Sequence, residues 1–185
     1  MIIETISGRF VDLTKPNHDD LDITDIAHSL ALQCRFSGHC RRFYSVAEHS
    51  WHIARILGDF PVEVQLAGLL HDASEAYLTD LPSPVKALMP EYREFEDNLM
   101  EHIAAKFNFE YPLHPAVKHA DRVMLATEAH YLMPSGGKGG IWGDQPKVDH
   151  NFRPICMSPE IAKANFLDKF RELIHVMYGQ NSSSL

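Results

Sequence analysis

The run Leu69-Leu70-His71-Asp72-Ala73-Ser74-Glu75 sets a histidine and two carboxylates inside a segment whose apolar spacing predicts a core-facing helix, from Pro61 to about Leu78. Burying charged groups costs several kcal/mol each unless they are paired or bind a metal. A divalent ion is the simplest compensation, because neutral imidazole and carboxylate are ordinary ligands for Zn, Mn, Fe and Co. On that helix Val64, Gly68, His71, Glu75 and Leu78 recur at three and four and share a face. Asp72 is turned by about 100° from His71, given 3.6 residues per turn. The adjacent pair can still converge on one ion between their directions. Glu75, one turn further on, lies near such an ion without having to bind it.

The rest of the chain fits a single domain. Its 185 residues suffice for one sizeable core, and 45% of them are hydrophobic. A formal net charge of −8 argues against long nucleic acid as a partner, since that affinity rests on many Lys/Arg–phosphate contacts. A small phosphorylated ligand stays possible, because one pocket with a metal and two or three basic residues attracts it locally. No stretch approaches the roughly 18–20 apolar residues of a membrane span. The opening MIIETISGRF lacks the layout of a signal peptide. Cys34, Cys40 and Cys156 have no CxxC spacing and read as small buried thiols in a reducing cytoplasm.

The pattern predicts an all-α chain after a short β-hairpin within residues 1–15. Ile2–Ile6 and Arg9–Leu13 are extended runs around Ser7-Gly8. Thr24 is the expected cap of a helix over about 25–34. Ser45-Val46-Ala47-Glu48 matches a capping box for a helix ending near Leu57, before Gly58. The Pro61 helix must break at Asp80-Leu81-Pro82-Ser83-Pro84. Further helices are expected over about 91–107, from Pro115 to about Leu132, and from Ser158-Pro159 onward. Residues 134–154 look irregular, and the tail at 180–185 is expected to be disordered. Gly136–Gly140 lacks the Lys-Ser/Thr ending of a phosphate loop and reads as a mobile surface loop.

Two further residues face the same interior. Val46, His49, Ile53 and Leu57 form one stripe, so His49 points inward, beside a helix that offers the His71-Asp72 pair. His52, one turn away, is expected to be half-buried. In the Pro115 helix, Asp121 lies on a core-directed stripe with Leu125, Glu128 and Leu132.

These residues bring a family into view. The chain resembles HD-domain metal-dependent phosphohydrolases, which place a His on one helix, an adjacent His-Asp on the next and a distant Asp on one divalent metal. His49, His71, Asp72 and Asp121 match that pattern in order and spacing. The flanking strings are similar to the small nucleotide-hydrolysing branch, bacterial 5′-deoxynucleotidases and phage dATP triphosphohydrolases. They include Cys34-Arg35-Phe36-Ser37-Gly38-His39, Tyr44-Ser45-Val46-Ala47-Glu48-His49 and Ala120-Asp121-Arg122. The similarity spans about residues 5–135. It implies a helical bundle, one divalent ion (Zn, Co or Mn), a second ion such as Mg arriving with substrate, a homo-oligomer, and action in a bacterial or phage-infected cytoplasm.

The resemblance also implies roles. A metal lowers the pKa of bound water and neutralises phosphoryl charge, and a nearby group must move a proton. Glu75 is the first candidate. Asp80 is the second, and fits a turn residue equally well. Arg35 and Lys86 are the expected phosphate-binding cations. Phe36 stacks on a base or packs in the core. The expected reaction is hydrolysis of deoxynucleotides, with release of triphosphate from a dATP-type substrate favoured by Arg41-Arg42. The alternative is a 5′-deoxynucleotidase releasing phosphate from monophosphates. A non-catalytic metal- or nucleotide-binding module is the distant alternative, and a structural zinc site fits poorly because two of the four ligands are carboxylates.

Overall fold

A computed structural model describes residues 1–179; the tail at 180–185 lies outside them. The chain is all-α with a short N-terminal hairpin. Strands β1 (Ile2–Glu4) and β2 (Phe10–Asp12) pair antiparallel, with Ile3 opposite Val11. The turn between them is gripped from below. Asp25 accepts hydrogen bonds from Thr5 Oγ1, Ser7 N–H and Ser7 Oγ at 2.7–3.1 Å. Among the described residues eight α-helices follow: α1 (Ile23–Leu32), α2 (Val46–Ile56), α3 (Val62–Leu69), α4 (Glu75–Leu78), α5 (Ser83–Lys86), α6 (Pro90–Phe107), α7 (Pro115–Leu132) and α8 (Pro159–Gly179).

The core forms where α1, α2, α3 and α8 pack on one another, with α7 closing over α2 and α3. Ile26, Leu30, Ile53, Leu57, Leu66, Leu69 and Phe166 are fully buried there. Each contributes about 1.5–3 kcal/mol by leaving water. Gly68 lets α2 and α3 approach, since a Cβ at that position would lie 2.4 Å from Leu57 Cδ1. No helix among the described residues is long and apolar enough to cross a membrane.

Four local expectations are corrected. Helix α1 begins two residues early because Asp22, not Thr24, is its cap: the Asp22 carboxylate accepts from Thr24 N–H at 2.8 Å. Ser45 caps α2 as expected, accepting from Glu48 N–H at 3.1 Å, but Glu48 does not complete the box. Its buried carboxylate instead accepts from the backbone N–H groups of Ile155, Cys156 and Met157 at 2.7–2.9 Å. Three well-aimed donors outweigh the single N–H that a capping box would offer. His52 is buried rather than half-buried, packed edge-on against Trp51 and Phe152.

The fourth correction concerns the opening motif. The expected helix from Pro61 to Leu78 is broken: α3 ends at Leu69, tight turns carry the chain through Ser74, and α4 is a short piece. His71 Nδ1 donates to the Gly68 carbonyl at 2.9 Å. In a continuous helix that carbonyl would accept from Asp72 N–H. The imidazole takes its place, and the backbone tightens into three-residue bonds, Ala73 N–H to Leu70 O and Glu75 N–H to Asp72 O. His71 and Asp72 thus stand on a turn and Glu75 opens α4, so the three do not share one continuous helix face.

Candidate functional site

Two helices converge beside this turn. Helix α2 contributes His49, which is fully buried, and α7 contributes Asp121. Ligand atoms of His49, His71 and Asp121 lie within 4.8 Å of one another, an arrangement that can hold a metal ion. Asp72 borders this group, with Oδ2 at 3.2 Å from His71 Nε2 and 3.7 Å from His49 Nε2.

The hydrogen bonds behind the rings fix their tautomers. His71 Nδ1 faces a carbonyl and must carry the proton. His49 Nδ1 lies 2.6 Å from Glu128 Oε1 and donates to it, because nearby Arg35 and His49 hold that buried carboxyl below the ordinary range against the effect of burial. In the neutral rings both Nε2 atoms are therefore acceptors, close to each other and to the carboxylates. His49 Nε2 is buried without any hydrogen-bond partner, 3.3 Å from Asp121 Oδ1. Acceptors gathered this closely repel one another unless a proton or a cation sits among them.

The electrostatics agree. Burial and the Arg35 guanidinium oppose charge on His49, yet Glu128 and Asp121 push its pKa up to about 9. Burial would raise Asp72 and Asp121, but the imidazoles hold both low. Surroundings that draw a proton to His49 Nε2 draw a divalent cation for the same reason. A ligating His whose other ring nitrogen donates to a carboxylate or a carbonyl is the usual outer-shell arrangement at a metal, and the residues present fit such an ion.

The group opens into a cavity of about 630 Å³. Six charged side chains line it: Arg35, Asp72, Glu75, Asp80, Lys86 and Asp121. Arg35 is buried, with Nε 3.1 Å from Glu128 Oε2 and Nη1 3.6 Å from Asp72 Oδ2. Lys86 Nζ donates to Glu75 Oε1 at 2.9 Å and to Glu96 Oε1 at 2.6 Å. The second oxygen of Glu75 is buried and unpartnered. Burial and the carboxylates of Asp72 and Asp80 hold the Glu75 carboxyl well above its ordinary range in spite of Lys86. Phe36 also lines the cavity, its ring centroid 5.6 Å from the Arg35 guanidinium. Phe36 and Ser37 have φ of 56° and 50°. Residues other than glycine enter that left-handed region at a cost of roughly 1–2 kcal/mol. Such strain gathers at functional sites.

All nine expected site residues, Arg35, Phe36, His49, His71, Asp72, Glu75, Asp80, Lys86 and Asp121, thus meet at the metal group or the cavity. Arg41 and Arg42 do not line the cavity. Both are exposed, and Arg41 bonds to the end of α7 through its backbone N–H and the Leu132 carbonyl. Glu128 is the functional residue that sequence reasoning passed over. Its signal was available, since it shares the Asp121 stripe and is a charge where the pattern calls for an apolar side chain.

No family model matches the chain. Over 172 residues it is 37% identical to the uncharacterized protein YfdR of Escherichia coli (strain K12), an alignment covering 92% of this chain and 94% of that protein. An uncharacterized protein of Rhodobacter capsulatus is 38% identical over 138 residues, covering 69% of this chain and 70% of that one.

Proposed function

The chain belongs to the YfdR family, and we propose that it is a metal-dependent phosphohydrolase of HD type that acts on deoxynucleotides. The observation that carries this is His49 Nε2: a fully buried ring nitrogen with no hydrogen-bond partner, grouped with His71 and Asp121 while Glu128 holds the other side of the ring. His49, His71 and Asp121 would hold the ion, with Asp72 as the fourth ligand. A divalent cation bound there supplies Lewis acidity toward phosphoryl oxygens and lowers the pKa of a water it binds.

The chain's own groups supply the rest. Arg35 and Lys86 place positive charge at the cavity wall where a phosphate would lie. Their existing carboxylate partners keep them ordered and limit their net charge. Glu75 keeps one oxygen free at the same place, and its raised proton affinity suits a group that takes a proton from water and delivers it to the leaving oxygen. Asp80 lines the mouth and is the reserve for that role.

The basic residues of the cavity are two. With Arg41 and Arg42 outside it, the pocket is better matched to one phosphate than to three, so release of orthophosphate from a deoxynucleoside monophosphate is favoured over release of triphosphate. The test is a nucleotide panel with purified, chelator-stripped protein reloaded with Zn, Co or Mn, and identification of the product. We expect no turnover without metal and orthophosphate from monophosphates with it. Triphosphate as product would reverse the choice of substrate. A metal-loaded protein that hydrolyses no nucleotide would leave a binding module.

A further inference from the structure

The cavity also carries side chains of a different chemistry. Trp142 and Gln145 line it together with Phe36, and the proposed hydrolysis uses neither Trp142 nor Gln145. The Trp142 ring is half-buried, its centroid 6.2 Å from that of Phe36 at an interplanar angle of 67°. The pair thus offers both a π face and a ring edge to whatever enters between the walls. Gln145 Oε1 is buried and has no hydrogen-bond partner. A buried carbonyl oxygen left unpaired is an acceptor awaiting a donor.

The segment carrying these two residues is held in place. Gly139 and Gly140 take φ of 69° and 54° and turn the chain into a short 3₁₀ helix, Gly140–Trp142. Beyond it, Arg122 Nη2 donates to the Asp144 carbonyl at 2.6 Å, and Asp149 N–H donates to Thr127 Oγ1 at 3.0 Å. Arg122 and Thr127 are on α7, the helix that carries Asp121. One helix therefore carries Asp121 and anchors the segment that bears Trp142 and Gln145. The guanidinium of Arg35, adjacent to Phe36 in sequence, lies 5.6 Å from the Phe36 ring centroid. Charged groups, an aromatic pair and one open acceptor thus line the same cavity, the chemistry that the phosphate and base of a nucleotide require.

We propose that Trp142, Phe36 and Gln145 form a nucleobase subsite, in which the two rings contact the base and Gln145 Oε1 accepts a hydrogen bond from an exocyclic amino group. This rests on the nucleotide reading of the site and adds a specificity: bases bearing an amino group over thymine. The experiment compares wild type, Trp142→Ala, Trp142→Phe and Gln145→Leu, all reloaded with the same metal, on dAMP, dCMP, dTMP and the base-less deoxyribose 5-phosphate. Base–aromatic stacking predicts that Trp142→Ala loses roughly 5- to 150-fold more kcat/KM on the nucleotides than on deoxyribose 5-phosphate. Trp142→Phe should recover most of that loss. Gln145→Leu should lower the dAMP-to-dTMP preference roughly 2- to 10-fold, the value of one hydrogen bond. Equal losses with and without a base, or an unchanged base preference in Gln145→Leu, would overturn the subsite. If wild type hydrolyses none of them, the hydrolytic reading fails and the subsite is judged by binding. Quenching of 2-aminopurine deoxyriboside 5′-monophosphate by wild type, abolished in Trp142→Ala, would uphold it; no quenching would overturn it.

Discussion

Replacing Glu128 by Gln tests whether the buried network behind the site sets the metal group. Glu128 is fully buried and makes two charge-assisted contacts, His49 Nδ1 at 2.6 Å and Arg35 Nε at 3.1 Å. A carboxamide has one acceptor oxygen. If it stays on His49, its amino group meets the Arg35 N–H, donor against donor. Breaking a buried ion pair costs about 3–5 kcal/mol, and the lower end applies because Asp72 remains 3.6 Å from Arg35. The variant should therefore unfold about 3 kcal/mol more easily in urea after chelation. It should also bind Zn or Co roughly 10- to 100-fold more weakly, since His49 loses the partner that sets its tautomer. Affinity is read by competition with a chromophoric chelator. Asp121→Asn is the control: Asp121 is more than a third exposed at its side chain, so it should lose metal with much less loss of chelated stability. A Glu128→Gln protein within 0.5 kcal/mol and threefold of wild type would refute the network, and mean that packing alone orients His49.

Three further outcomes are expected. Glu75→Gln should keep its metal, measured by elemental analysis, and lose about 10²–10⁴ in turnover; loss within twofold would move the proton-transfer role to Asp80. Gly68→Ala should destabilise the fold by about 1–3 kcal/mol in urea, because the new Cβ meets Leu57 Cδ1 at 2.4 Å and Ile53 Cγ2 at 3.2 Å; an unchanged midpoint would show that the α2–α3 contact yields freely. Burial and the Cys34 thiol 3.6 Å away push Cys40 up to about 11, so its neutral form dominates at pH 8. Its alkylation rate by iodoacetamide, followed by peptide mass mapping, should climb about tenfold per pH unit from 8 to 10 and not level off near 9 as an ordinary thiol would.

Helix positions were legible wherever periodicity and caps agreed. The 91–107 and Pro115–Leu132 expectations lie within a residue of α6 and α7. The break after Leu69 was not legible, because nothing in Leu70–Ser74 is a glycine or a proline. It comes from a side chain, the His71 imidazole, competing for a backbone carbonyl, and that competition depends on which way the ring points. The site residues survived the error because contact was inferred from residue type and from the neighbouring helices as well as from one face. Glu48 was misjudged for a related reason. Its carboxylate bonds to residues more than 100 positions away, and local pattern carries no trace of them. Glu128 differs, since its helical register with Asp121 was visible and only its role was overlooked.

The lock between Glu48 and residues 155–157, with α8 packed on α1, α2 and α3, has a consequence for biosynthesis. The first helix to be made buries Ile26 and Leu30 in a core that the last helix completes with Phe166 and Leu173. A nascent chain lacking α8 leaves those surfaces uncovered, and with them the packing that α8 gives α2, the helix that carries Glu48. Contacts at such separation must close a long loop before they repay its entropy, and partly made chains with exposed apolar faces are prone to associate. The ribosome-bound protein should therefore stay protease-sensitive until α8 has emerged, acquiring resistance in a single step as Phe166 and Leu173 become available.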